Sequence, residues 1–329
     1  MSDSPDGPRP ALKKKWRGRL GREELEARAN ATREDIRAQL AVTRAQIDQA
    51  NEKMEARTGR NLPLAILFGL VLGVSMLASL IVVKEFFMVV AVVLVAFTAF
   101  ELASALWFGG RYVPKVPTLI ASIAMVPASF YLEDDGRWYV FLGGVLFVAL
   151  WRIAALVSPA RRGTAVEVWK DIGAGTLVQA YVPLLGSFGV ALAAQDGGEL
   201  WTLAFLLIVI STDTGAYASG LLFGKHPMAP KISPKKTWEG FAGSVVVALV
   251  AGITLSVLML GQPVWLGVIF GLTMVATATI GDLTESLIKR DLGIKDISTW
   301  LPGHGGFLDR LDSVLPSAAA AYMLYLIFA

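Results

Sequence analysis

The chain of 329 residues has no cysteine and only two histidines, His226 and His304. Without cysteine it can form no disulfide bond, thiolate metal site or cysteine nucleophile. Neither histidine lies in an HExxH pattern, which argues against the common kinds of zinc site. A metal ion would therefore have to be held by oxygen ligands, and such ligands favour magnesium or a similar hard cation.

Charge is also scarce, since only 17% of the residues are charged and 54% are hydrophobic. This balance is typical of a polytopic membrane protein rather than a soluble one. From Leu62 to the C-terminus, apolar stretches long enough to cross roughly 30 Å of hydrocarbon follow one another. We predict an all-α, polytopic integral membrane protein with about nine transmembrane helices, at residues 62–83, 86–108, 114–132, 138–157, 172–194, 200–220, 239–260, 263–281 and 308–328.

Residues 1–61 differ in character from the rest of the chain, with fourteen Lys/Arg, ten Asp/Glu and no apolar stretch. They contain no cleavage-site pattern, so we do not interpret them as a secretory signal. We predict a charged, cytoplasmic extension that is partly helical or disordered, followed by a transmembrane domain at residues 62–329. The basic tract at 9–22 either contacts anionic lipid headgroups or is a solvated tail that fixes orientation, and no nucleic-acid binding is expected. A loose apolar spacing in residues 23–57 is consistent with self-association, so a homodimer is one expectation.

The distribution of basic residues tests the predicted spans, because cytoplasmic loops carry an excess of Lys and Arg. With the N-terminus inside, 28 of the 30 basic residues fall on the cytoplasmic side, and only Lys84 and Arg137 fall outside. This split supports the assignment. We therefore predict a multi-pass protein of the plasma or inner membrane, in which the N-terminus and the polar loops at 221–238 and 282–312 are cytoplasmic.

The stretch at 282–312 carries a dense set of polar functional groups between two apolar segments. Asp282, Ser286 and Lys289 recur at the spacing of helical turns, which places them on one face of a helix. Carboxylates suit divalent cations and basic side chains suit phosphate oxygens, so the pattern favours a polyanionic, metal-bound substrate. Glycines beside a helix start also let backbone N–H groups approach an anion closely. The alternative is a set of surface ion pairs that cap two helices. The set consists of Asp282, Ser286, Lys289, Arg290, Lys295, Asp296, His304, Gly305, Gly306, Asp309, Arg310 and Asp312.

A second polar set begins inside the sixth predicted span. An aspartate in an apolar helix is costly unless it faces a polar cavity, so Asp213 is a candidate site residue. The segment from Gly220 to Lys225 is not a phosphate-binding P-loop, because its spacing is one residue short and no Ser or Thr follows the lysine. Each lysine of the set is alternatively an ordinary basic residue of a cytoplasmic loop. Glu101 and Arg152, in two other spans, either line the same cavity or pair within the bundle. The second set consists of Asp213, Tyr217, Lys225, Ser233, Lys235, Lys236 and Thr237.

These two sets together resemble the phosphatidate cytidylyltransferases, also called CDP-diglyceride synthases. The family signature reads S-x-[apolar]-K-R-x4-K-D-x-[small]-x2-[apolar]-[PG]-x-H-G-G-[apolar]-x-D-R-[apolar]-D, and the chain matches it from Ser286 to Asp312. The upstream pattern D-x-x-A-Y…G-K…SPKKTWEG, at 213–240, is similar to the same family. The resemblance covers the chain from about residue 62 onward and implies nothing about residues 1–61.

The resemblance implies transfer of CMP from CTP to phosphatidic acid, which gives CDP-diacylglycerol and pyrophosphate at a magnesium-dependent site with two metal positions. By that resemblance Asp282 and Asp309 are the metal ligands, and Asp312 assists them. The implied phosphate contacts are Lys289, Arg290 and Arg310, and the other members of the implied catalytic set are Ser286, Lys295, Asp296 and His304. The implied nucleotide site consists of Asp213, Tyr217, Lys225, Ser233, Lys235, Lys236, Thr237, Gly305 and Gly306. Because a phosphate monoester is largely ionised at neutral pH, we expect His304 to position a group rather than to act as a base.

Two other interpretations remain open. One is a related CTP-dependent lipid enzyme, such as a CDP-archaeol type synthase or a polyprenol kinase. The complete signature disfavours the kinase. The other is a transporter of a phosphorylated solute, which the lack of a visible internal repeat disfavours.

Overall fold

The computed structural model describes residues 71, 73–81, 84–132, 134–298, 300 and 305–329. The extension predicted at 1–61, much of the first predicted span at 62–83, and His304 lie outside these residues. The expectations for them therefore stay predictions.

Helices make up most of the described chain. Those before the hairpin are α1 (Lys84–Phe108), α2 (Lys115–Tyr131), α3 (Asp134–Ala154), α4 (Ala165–Gln179), α5 (Leu185–Ala194) and α6 (Gly198–Phe223). Those after it are α7 (Trp238–Leu258), α8 (Val264–Asp291), α9 (Leu308–Leu311) and α10 (Val314–Phe328). Two 3-10 turns, Ala155–Val157 and Pro159–Arg161, follow α3. A π-helical turn at Ala180–Leu184, which contains Pro183, joins α4 to α5.

Seven helical segments in the described residues are long and apolar enough to cross a membrane. They are Lys84–Phe108, Gly136–Val157, Ala165–Ala194, Gly198–Phe223, Trp238–Leu258, Val264–Asp291 and Leu308–Phe328. Helix α2 is apolar but shorter, with 17 residues. The predicted helical, multi-pass architecture is confirmed, and the total of about nine spans remains a finer prediction.

A two-stranded antiparallel hairpin lies where the sequence analysis expected only a polar loop. It consists of β1 (Pro227–Ala229) and β2 (Ser233–Thr237). Strand β2 leads directly into α7, where Thr237 Oγ1 accepts a hydrogen bond from the Gly240 N–H at 3.2 Å and so caps the helix. Arg290 Nε of α8 donates to the Ile232 carbonyl in the hairpin turn at 3.1 Å. The hairpin is therefore fastened to both α7 and α8.

Helices α7 and α8 approach each other closely through glycine. A Cβ atom at Gly271 would lie 2.5 Å from the Ala248 carbonyl oxygen, and one at Gly267 would lie 2.6 Å from Ile253 Cα. Apolar side chains gain little by leaving lipid, so tight packing of small residues is a main source of helix association in a membrane. The close contact fixes the position of α8, whose polar end carries the candidate site.

A buried ion pair joins α3 to α4. Arg152 Nε lies 2.8 Å from Asp171 Oδ2, and the two residues are 3% and 5% exposed. Asp171 Oδ1 also accepts the Tyr112 N–H at 2.9 Å, and Arg152 Nη1 donates to the Arg161 carbonyl at 3.2 Å. Of the two alternatives for Arg152, the structure therefore shows pairing within the bundle.

We predict that Arg152→Met lowers the free energy of unfolding by roughly 3–5 kcal/mol, because it leaves Asp171 as an uncompensated buried charge. The control is Lys84→Met. This change breaks the ion pair between Lys84 and Glu199, whose side chains are 33% and 34% exposed. It should lower the free energy of unfolding by about 0–1 kcal/mol. Thermal unfolding in detergent measures both variants. If the two variants lowered the stability equally, burial would not be what makes the Arg152–Asp171 ion pair important.

Candidate active site

A cavity of about 630 Å³ lies among α6, α7, α8, the hairpin and the segment that contains α9. Its lining combines four carboxylates with three basic side chains. The carboxylates belong to Asp213, Asp282, Asp309 and Asp312, and the basic groups to Lys235, Lys236 and Arg310. Tyr217 and Thr237 also line it. Members of the two polar sets of the sequence therefore meet in one cavity, although α7 and most of α8 separate them in the chain.

Helix α8 carries part of this lining beyond the end of the predicted span. The predicted span ends at residue 281, and the helix continues to Asp291, as the helical spacing of Asp282, Ser286 and Lys289 predicts. Ser286 Oγ lies 3.5 Å from Asp282 Oδ1, as expected for neighbours on one helical face. Asp282 reaches the cavity, whereas Ser286 is buried behind it, 9% exposed.

The hairpin brings a cation to Asp282. Lys236, from β2, forms an ion pair with Asp282 Oδ2, and the two side chains are 24% and 33% exposed. Lys235 lines the cavity beside it. The hairpin thus places two lysines against the carboxylates of α6 and α8, which a structureless loop would not fix.

Lys289 lies between two carboxylates of the protein, and its contact with a substrate phosphate stays a prediction. Its Nζ lies 2.8 Å from Asp309 Oδ1 and 2.5 Å from Glu285 Oε2, and its side chain is 16% exposed. It is not among the residues that line the cavity. The ammonium group predicted to hold a phosphate therefore contacts two carboxylates of the protein. Glu285 is only 1% exposed and was missed by the sequence analysis, although its i,i+4 spacing to Lys289 was a visible signal.

Glu101 of α1 holds the segment that leads to Asp309. It is 2% exposed, accepts a hydrogen bond from the Ser298 hydroxyl, and accepts the Leu308 N–H at 2.9 Å. Glu101 does not line the cavity, and its partners include the Ser298 hydroxyl and the Leu308 N–H, so of the two alternatives it pairs within the protein. No local signal predicts this role, since Ser298 and Leu308 are about 200 residues away in the chain.

Gly305 and Gly306 allow carboxylates to approach the backbone closely because neither residue has a Cβ atom. The Gly306 N–H donates to Asp309 Oδ2 at 2.7 Å, and a Cβ atom at Gly306 would lie 2.7 Å from both Glu101 carboxylate oxygens. Gly305 has φ +78°, and a Cβ there would lie 2.7 Å from Asp309 Oδ2. The anion next to this backbone is thus a carboxylate of the protein, and binding of a substrate phosphate by these glycines stays a prediction.

Several other predicted site residues lie away from the cavity lining. Lys295 and Asp296 are exposed, and Arg290 donates to the hairpin turn. The exposed Lys225 donates its backbone N–H to Glu239 Oε2 at 3.1 Å. Their contact with a ligand stays a prediction, as does that of Ser233, and His304 lies outside the described residues.

Comparison with known proteins now adds to this geometry. The model of the cytidylyltransferase family matches residues 64–328. The chain belongs to the cytidylyltransferase family. It is therefore a nucleotidyltransferase, and the resemblance found in the sequence is confirmed.

Named relatives extend this result. A phosphatidate cytidylyltransferase from Mycobacterium bovis is 39% identical over 274 residues, which cover 82% of this chain and 90% of the relative. A protein of the same name from Mycobacterium leprae is 36% identical over 280 residues, covering 83% and 90%. One from Staphylococcus epidermidis is 32% identical over 204 residues, covering 61% and 76%.

The cavity carboxylates suit a hard divalent cation in their donor chemistry, because magnesium prefers oxygen ligands. In the described residues, no group of three or more Asp, Glu, His or Cys side chains is arranged to hold a metal ion. Magnesium is commonly bound by one or two carboxylates, with phosphate oxygens and waters completing the shell. This cytidylyltransferase therefore fits a cation shared between one or two carboxylates and a phosphorylated substrate, with Asp282 and Asp309 among the available ligands.

We predict that Gly306→Ala lowers cytidylyl transfer by about 100-fold, because the new methyl group forces Glu101 and the segment carrying Asp309 apart, and ~1 Å misplacements have effects of that size. The matched control is Gly143→Ala, since no atom lies within 4 Å of a Cβ at that exposed helical position. Turnover per correctly folded enzyme measures both. Wild-type turnover in Gly306→Ala would contradict a tight Glu101 contact.

Proposed function

We propose that this cytidylyltransferase transfers CMP from CTP to phosphatidic acid, giving CDP-diacylglycerol and pyrophosphate in phospholipid biosynthesis. The observation that carries the proposal is the single cavity in which four carboxylates face Lys235, Lys236 and Arg310 at the polar ends of apolar helices. A lipid headgroup and a water-soluble nucleotide can both reach such a place. The name borne by the mycobacterial relatives supports the choice of phosphatidate as acceptor.

This reaction requires electrostatic stabilisation of negative charge rather than a strong base. A phosphate oxygen of phosphatidic acid attacks the α-phosphorus of CTP, a new P–O bond forms, and the bond to the β-phosphate breaks as pyrophosphate leaves. The attacking monoester is already largely ionised at neutral pH, since the second pKa of such a phosphate is about 6. The obstacle is the approach of two polyanions and the charge that builds on the leaving group.

Basic side chains that line the cavity can reduce this charge repulsion. Lys235, Lys236 and Arg310 are placed to bind phosphate oxygens, and Arg310 can do so with two N–H groups at once. Asp282 and Asp309 would hold Mg²⁺, which when bound neutralises phosphate charge and supplies Lewis-acid polarisation. Two metal positions, as the family resemblance implies, are part of this proposal.

The proposed setting is the plasma or inner membrane, with about nine spans, the N-terminus of the extension at 1–61 inside, and the cavity open to the cytoplasm. The support is the split of 28 basic residues to 2 under that topology. A cytoplasmic opening also gives the enzyme access to CTP. A homodimer remains part of the proposal, with self-association assigned to residues 23–57.

The decisive experiment incubates purified protein in detergent with phosphatidic acid, Mg²⁺ and CTP labelled either in the cytidine or in the γ-phosphate. We expect cytidine label in the lipid product and release of pyrophosphate. Transfer of only the γ-phosphate label would identify a kinase instead. If no label enters any lipid across a range of metals and lipid acceptors, the transporter interpretation gains ground and the proposal fails.

We also predict that Asp282→Asn and Asp309→Asn each reduce turnover by at least about 100-fold while membrane insertion stays intact, because each removes a charge from the cavity wall. Asp196→Asn, at an exposed position away from the cavity, is the matched control and should retain normal turnover. Substantial residual activity in both cavity variants would rule out these two residues as metal ligands.

A further inference from the structure

Glu285 stands out because it is a carboxylate buried in an apolar bundle beside the cavity without lining it. It is 1% exposed, on the side of α8 that faces the protein interior. Burying a carboxylate is costly unless a cation compensates it, and replacing a buried ion pair by apolar residues is often neutral or stabilising. A purely structural need at this position would therefore not require a charge.

The compensating cation is Lys289, and it is shared. Lys289 Nζ contacts Glu285 Oε2 at 2.5 Å and Asp309 Oδ1 at 2.8 Å. The carboxyl groups of Glu285 and Asp309 also lie within hydrogen-bonding reach of each other. Two carboxyl groups that close together repel each other when both are ionised, unless a cation lies between them or they share a proton. The ammonium group therefore joins α8 to the segment that carries Asp309.

Asp309 is the member of this trio that faces the cavity. Its Oδ1 is held by Lys289 and its Oδ2 by the Gly306 N–H at 2.7 Å. Both oxygens are thus fixed in direction, and each keeps a further lone pair. The orientation that Asp309 presents to a ligand is set by the position of Lys289, and the position of Lys289 is set in turn by Glu285.

We propose that Glu285 is a positioning residue of the cytidylyltransferase site, which orients Asp309 through the shared ammonium group of Lys289. The proposal rests on the proposed function, because Asp309 is there assigned to the reaction centre. Glu285 itself touches no substrate. Its loss should therefore lower kcat and leave KM for CTP and for phosphatidic acid nearly unchanged.

The first test is Glu285→Gln, which keeps the shape of the side chain and removes its charge. We expect kcat to fall by about tenfold and both KM values to stay within about threefold of the wild type. Glu85→Gln, at an exposed position in the first turn of α1, is the matched control. Unchanged kcat in Glu285→Gln, or a rise in KM with kcat preserved, would overturn the proposal.

The second test uses the repulsion between the two carboxylates. Lys289→Met leaves Glu285 and Asp309 facing each other without a cation, so it should lower kcat by more than about tenfold and lower the melting temperature. Adding Glu285→Gln to Lys289→Met removes one of the repelling charges. The double variant should therefore recover part of the kcat and part of the melting temperature lost in the single variant.

The partial recovery in the double variant distinguishes the proposal from the alternative roles of Lys289 and Glu285. If Lys289 bound a substrate phosphate directly and Glu285 served only to fold the helix, the double variant would be no better than Lys289→Met in kcat or in melting temperature, and the proposal would be wrong. Failure of the proposed function is visible separately. In that case the wild-type enzyme itself would transfer no cytidine label to phosphatidic acid.

Discussion

Carboxylates at the end of an apolar helix bundle are tolerated only where a cation or a hydrogen-bond donor faces them. Here Asp282 faces Lys236, Asp309 faces Lys289 and a glycine N–H, and Glu101 faces donors of the loop. Apart from the glycine N–H, each donor comes from a different part of the chain from its acceptor. The ion pairs and hydrogen bonds that compensate the carboxylates therefore also hold the hairpin, α8 and the α9 segment together around one cavity.

The need to compensate buried polar groups also explains why the short hairpin and helix α9 have defined positions. The hairpin has only two strands, and a hairpin of that size is marginal in isolation. It is fastened because Arg290 holds its turn and Lys236 pairs with Asp282. Helix α9 has only four residues, and Glu101 accepts its first N–H group. Polar contacts with neighbouring helices, rather than local propensity, thus position both segments.

The sequence predicts the apolar helices well because each is a long hydrophobic run whose character does not depend on distant residues. It also brings Asp213, Asp282 and Asp309 to one site through the family signature. It does not predict the contacts of Lys289 with Glu285 and Asp309, because a helical spacing does not show which side of the helix is buried, and the predicted contact of Lys289 with a phosphate stays a prediction. It does not assign Glu101, whose partners are contributed by a segment about 200 residues later, or the hairpin, whose short polar strands lack an alternating pattern.

The two lysines that face carboxylates are not equivalent, and the difference lies in their burial. Lys236 and Asp282 are 24% and 33% exposed at the cavity wall, where water or a ligand can replace either partner at modest cost. Lys289 and Glu285 are 16% and 1% exposed, so separating them would leave a charge without compensation in the bundle. Under the proposed function, we expect Lys236 to move from the carboxylate of Asp282 to a phosphate of the substrate, whereas Lys289 stays between its carboxylates. A site that must release a charged product needs the first kind of contact, and a site that must keep its shape between turnovers needs the second.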